Sequence, residues 1–100
     1  MGKKKKYRVV KIGKLKLRYS KKILNHILKH NVTLSEVVTV LEGKVYRRKL
    51  KRDTSMSIGK TTSGRFLTVF LEKKGADVFR LKTARDSTYS EKKLYRKLSK

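Results

Sequence analysis

One hundred residues carry 30 Lys and Arg against 7 Asp and Glu, a formal net charge of +23 at pH 7, with no cysteine. That length suits a single domain with a modest core. The missing cysteines exclude disulfides, thiolate chemistry and cysteine-based zinc sites. No apolar run approaches the roughly 18 residues of a membrane span, and without Trp or a long amphipathic helix the chain does not read as a membrane-surface protein. So large a positive charge opposes compaction unless a polyanion screens it, which makes nucleic acid the expected partner, RNA ahead of DNA. The 37% hydrophobic content falls in periodic blocks, as in a folded domain.

Residues 1–6 read as a flexible lysine-rich tail, and residues 7–100 as one domain. The cluster Lys3, Lys4, Lys5 and Lys6 is followed by charged and β-branched residues and not by an apolar core with a cleavage site. It is therefore not a secretory signal, and a cytoplasmic location is expected. Tyr7–Ile12 and residues 15–19 alternate as strands around Gly13-Lys14, which predicts a β-hairpin with glycine first in its turn. From Ser20 the period becomes helical, with Ile23, Leu24, Ile27 and Leu28 on one face and Asn31 as a left-handed stop. Thr33 and Glu36 form a capping box, Val32 and Val37 flank it as a hydrophobic staple, and a second short helix follows as far as a C-terminal glycine, Gly43. Residues 44–51, 56–60, 66–71 and 78–82 read as four strands, separated by turns at Asp53, at residues 61–64 and at residues 73–75. Thr88 and Glu91 form another capping box, opening a terminal helix with Leu94, Tyr95 and Leu98 on its apolar side. The expected fold is α+β: a hairpin, two short helices, an antiparallel meander and a C-terminal helix.

Three blocks carry a resemblance to a known family. They are Lys29-His30-Asn31-Val32 with Leu34, Glu36 and Val40; Ile58-Gly59-Lys60-Thr61 leading to Gly64-Arg65-Phe66-Leu67; and Arg80-Leu81-Lys82-Thr83-Ala84-Arg85 with Thr88, Glu91 and Tyr95 behind it. In this order, over about residues 20–95, the chain resembles the BrnT toxins of bacterial and archaeal toxin–antitoxin pairs, a branch of the RelE/ParE-like superfamily. The resemblance implies a metal-independent RNA endonuclease that needs no cofactor, slows translation and is silenced by a cognate antitoxin. The charge of this chain leads us to expect an acidic antitoxin. Two positions depart from the family pattern: Tyr19-Ser20 stands where an aromatic-acidic pair is usual, and His26 stands where Asn is usual, one turn before Lys29-His30.

Cleavage of that kind has the ribose 2′-OH attack its own phosphate, which requires a proton acceptor, a proton donor for the leaving oxygen and cations aimed at the developing charge. Arg65, Arg80 and Arg85 suit the cation role, because a guanidinium stays charged and its planar fork matches two phosphate oxygens. In so basic a chain each is also a plausible solvated surface charge. His30 belongs to a family block and is of a residue type suited to acid–base work; it could equally be a helix-end cap. Lys29, Lys82 and Tyr95 are expected to contact RNA, with Lys3 to Lys6 adding phosphate affinity without sequence preference. His26 and His30 lie one turn apart, but two imidazoles without a third ligand make a poor metal site, and none is expected. Two other classes remain open: a basic nucleic-acid-binding protein without catalysis, and an inhibitor that acts by binding another protein.

Overall fold

The computed structural model describes residues 7–99. Six strands form one sheet in the order β1-β2-β6-β5-β4-β3, where β1 is Tyr7–Ile12, β2 Leu15–Ser20, β3 Tyr46–Lys49, β4 Thr54–Lys60, β5 Phe66–Gly75 and β6 Val78–Asp86. Three helices, α1 Lys21–Leu28, α2 Leu34–Glu42 and α3 Tyr89–Arg96, complete the α+β domain, with a short 3-10 turn at Lys97–Ser99. The Lys3 to Lys6 cluster lies outside the described residues.

The hairpin is as the sequence predicts, with Gly13 at φ 62 in its turn. Ser20 Oγ accepts from the Ile23 N–H and caps α1. Asn31, at φ 61, turns the chain from α1 into α2. Both capping boxes form, and Val32 and Val37 of the staple are fully buried. Gly43 closes α2 at φ −98, so its position does not use the left-handed conformation for which glycine was expected there.

The meander β3–β4–β5–β6 is antiparallel throughout. Several expected strand limits are corrected: β3 is confined to Tyr46–Lys49, and β4 begins at Thr54. Residues 73–75 do not form a turn, because β5 runs on to Gly75 and the chain reverses at Ala76 and Asp77, the latter at φ 59. β6 continues past Lys82 to Asp86, with an irregularity in the ladder where Phe70 pairs with Thr83 and Leu71 with Leu81, leaving Lys82 as the extra residue. The hairpin also joins the same sheet, since β2 pairs parallel with β6 through Leu17↔Phe79 and Arg18↔Arg80. A parallel pairing needs a long crossover, and the α1–α2 pair together with the meander supplies it.

The core lies between α1–α2 and one face of the sheet. Leu17, Leu67, Val69, Leu71, Leu81 and Ala84 meet Ile27, Val32, Val37 and Val40, all at most 1% exposed. Gly59 lets α2 come close to β4: a Cβ there would stand 3.0 Å from Val40 Cγ1 and 3.2 Å from both the Lys44 carbonyl oxygen and Val45 Cγ1. The opposite face is covered in part by α3, whose Tyr95 ring meets Phe66 edge-on with centroids 5.5 Å apart.

Candidate nucleic-acid interface

β2 stays beside β6 only as far as Arg80, whereas β6 continues to Asp86. Where β2 turns away into α1, a groove of about 330 Å³ opens between α1 and β6, lined by Tyr19, Lys22, Ile23 and His26 on one side and by Arg80, Leu81 and Lys82 on the other. Three cations and an imidazole thus face one concave space with an apolar floor. His26 Nε2 lies 3.1 Å from Thr83 Oγ1, which ties the imidazole to the strand beneath it. The His30 ring stands edge-on behind His26, centroids 5.3 Å apart.

Arg80 also belongs to the sheet face away from α1–α2. There its Nε donates to Glu72 at 2.9 Å and its Nη2 lies 2.7 Å from the same oxygen. That hydrogen bond holds the Glu72 carboxyl below its ordinary range, with Lys74 and Lys82 adding to the effect. A carboxylate among so many cations keeps the Arg80 fork extended and oriented. Lys82 remains exposed at the irregularity in β6.

The other expected site residues are distributed differently. Arg65 is committed to a network at the sheet edge. Its Nε donates to Asp86 at 2.7 Å, its Nη1 to the Asn31 carbonyl at 2.6 Å and to both oxygens of Glu36 at 3.2 Å, and its Nη2 to the His30 carbonyl at 3.2 Å. The hydrogen bond to Asp86 is the largest cause of a raised Arg65 pKa. Arg85 is held by Glu91 in a two-bond fork and rests over the Phe70 ring, 5.2 Å from its centroid; the Glu91 bond likewise raises its pKa. The glutamates of the two capping boxes therefore each capture one of the candidate arginines. Lys29 is exposed at the end of α1, and Tyr95 packs on Phe66 under α3.

The structure thus gathers Arg80 and Lys82 at the groove and brings His26, not His30, to its wall. His26 stands at the position where the family carries Asn, and the helical period of α1, which puts Lys22, Ile23 and His26 on neighbouring positions, is the sequence signal for its place on the wall. Among the described residues no group of three or more His, Asp or Glu side chains is arranged to hold a metal ion. No described helix is long and apolar enough to cross a membrane.

No protein-family model matches the chain, and no curated protein matches it. Among solved structures, the ribonuclease toxin BrnT of Brucella abortus superposes with a TM-score of 0.55 over 70% of this chain and 92% of its own, at 19% sequence identity. At that identity the likeness concerns architecture: this chain has the α+β fold of the BrnT toxin.

Proposed function

We propose that the protein is a BrnT-like toxin, an RNA endonuclease that works without a metal and is restrained by an acidic antitoxin. The observation that carries this reading is the groove between α1 and β6, where Lys22, Arg80 and Lys82 surround His26 on a fold shared with a ribonuclease toxin. In the proposed reaction the 2′-OH loses its proton to a base, a bond forms from O2′ to phosphorus, and the bond from phosphorus to O5′ breaks as O5′ takes up a proton. His26 is placed to exchange one of these protons, and its contact with Thr83 orients the ring. Arg80 and Lys82 are placed to meet the negative charge that grows on the phosphoryl oxygens. Arg65 acts in holding the α1–α2 turn to the sheet, and Arg85 in seating α3.

The antitoxin reading rests on charge. Seven acidic residues cannot neutralise 30 basic ones, and four of them, Glu36, Glu72, Asp86 and Glu91, take part in ion pairs or capping bonds within the fold. A partner with an acidic segment would meet the complementary potential that such a surface presents. The deciding experiment is incubation of the purified protein with single-stranded RNA in EDTA. Fragments ending in a 2′,3′-cyclic phosphate are expected, and RNA that is bound but left intact would leave the protein a non-catalytic binder.

A further inference from the structure

A second pocket lies on the other side of the sheet from the Arg80–Glu72 pair. Residues paired across the sheet share a face, so Arg47 with Ser57, Lys49 with Ser55, Ser55 with Leu71 and Lys73 with Phe79 all belong to the side on which α1 and α2 pack. α2 comes down on that side around Gly59. Toward the other end of β4 the face is open, and Arg47, Lys49, Asp53, Ser55, Lys73 and Phe79 line a hollow of about 200 Å³.

We propose that this hollow is a second RNA subsite, which holds one unpaired nucleotide with its base on Phe79 and its phosphate among Arg47, Lys49 and Lys73. The inference rests on the RNA-binding reading above and extends it to a second site, on the face of the sheet opposite the Arg80–Glu72 pair. Three features of the hollow fit a nucleotide. The first is an aromatic face at the floor, now occupied by the Arg47 guanidinium 5.8 Å from the Phe79 centroid; an incoming base stacks in its place and releases the cation toward the phosphate. The second is the convergence of three cations, two from β3 and one from β5, on a hollow whose lining holds one carboxylate, that of Asp53. Asp53 accepts from a base amine or a ribose hydroxyl, groups that a bare phosphate or sulfate lacks. The third is Ser55, 9% exposed, whose hydroxyl has no hydrogen-bond partner among the described residues and is available to a ligand in the hollow.

The two sites sit at the same end of the sheet, because Glu72↔Arg80 and Lys73↔Phe79 are neighbouring rungs of one ladder whose side chains point to opposite faces. An RNA strand that leaves the Arg80 face can reach Phe79 by passing around the β5–β6 turn at Ala76 and Asp77. A strand long enough to engage both sites gains affinity because the second contact is intramolecular.

The test uses the full chain and single-stranded oligonucleotides with one 2-aminopurine, whose fluorescence is quenched on stacking. The wild-type protein is expected to quench the probe, and Phe79→Leu to lose the quenching while its circular dichroism is unchanged. The pair R47A and K73A is expected to weaken single-stranded binding at least tenfold, whereas removing two charges elsewhere with K44A and K97A weakens it only a few-fold. A duplex carrying the same probe, whose base is already stacked and paired, should show no further quenching with the wild-type protein. Equal losses in the two double variants, or full quenching by Phe79→Leu, would overturn the subsite while leaving RNA binding at the groove intact. A wild-type protein that binds no RNA overturns both readings. A polyglutamate peptide bound with the same dependence on Arg47 and Lys73, with the probe never quenched, makes the hollow a seat for acidic protein and also overturns the proposal.

Discussion

Two nitrogens of Arg85 meet the two carboxylate oxygens of Glu91, each at 2.9 Å, and the same carboxylate accepts from the Thr68 hydroxyl and the Thr88 N–H at 2.8 Å. Burial works against the charge of Glu91, yet the hydrogen bonds from Arg85, the Thr88 backbone and Thr68 outweigh it and lower the pKa from 4.5 to about 2. The folded-state value lies below the unfolded one, so the stabilisation is complete above about pH 4.5 and is lost as the pH falls toward 2. Urea unfolding from pH 6 down to pH 2 should show a loss on the order of 2–3 kcal/mol from this group. Glu91→Gln should start less stable at pH 6 and show a correspondingly smaller decline; parallel curves for the two proteins would refute the assignment.

Arg65 joins the α1–α2 turn, through Asn31, His30 and Glu36, to Asp86 at the end of β6. Arg65→Ala should cost about 2 kcal/mol, since charge-assisted bonds are lost and Glu36 keeps only its capping contacts. Arg65→Lys should recover little, because one ammonium cannot span the same acceptors as a planar fork. At a temperature where the variant is still folded, RNA cleavage should proceed near the wild-type rate. A rate loss much larger than the stability loss would return Arg65 to the reaction itself.

Arg80→Ala and His26→Ala should each lower the rate at saturating RNA on the order of a hundredfold, with binding changed far less. Arg80 is half-exposed, so its truncation should leave stability within about half a kcal/mol. His30→Ala is the informative comparison, for its ring stands behind His26 and outside the groove lining. Single-turnover assays that find His30→Ala slower than His26→Ala would reverse the placement of the two imidazoles.

Removal of Lys3 to Lys6 should weaken binding to every RNA sequence alike, flatten the dependence of affinity on salt and leave turnover at saturation unchanged. Titrations of the intact and shortened chains between 50 and about 300 mM salt test this. An unchanged slope would show that the tail makes no phosphate contacts.

Gly59→Ala should destabilise the fold by about 1–3 kcal/mol, because the added methyl meets Val40, Val45 and the Lys44 carbonyl at 3.0–3.2 Å in a packed layer. Thermal unfolding reads this directly, and an unaltered midpoint would mean that α2 can shift outward without cost.

Local chemistry made much of this fold legible in the sequence. Ser20, Thr33 with Glu36, and Thr88 with Glu91 mark the helix starts, and Gly13 and Asn31 mark reversals, because caps and left-handed turns depend on residues a few positions apart. The β2–β6 pairing was not legible: Arg18 and Arg80 are brought together by everything between them, and nothing near either one announces the other. The groove depends on that pairing, so its membership was hidden as well. His30 drew attention by its neighbours in sequence, whereas His26 reaches the wall because α1 crosses β6 at that turn. The capture of Arg65 and Arg85 is hidden for a simpler reason: Glu36 and Glu91 are accounted for locally as helix caps, and one carboxylate can serve both a cap and a distant arginine.

The pairing of an early strand with the last one also sets a schedule. During synthesis the hairpin and both helices leave the ribosome first, but β2 has no sheet to join until residues 78–80 have emerged behind it. Until then Lys22 and His26 have no Arg80 or Lys82 opposite them, and the nascent chain carries charge without a formed groove. If the proposed cleavage takes place in that groove, a chain assembled in this order cannot cut the messenger that encodes it for most of its own translation.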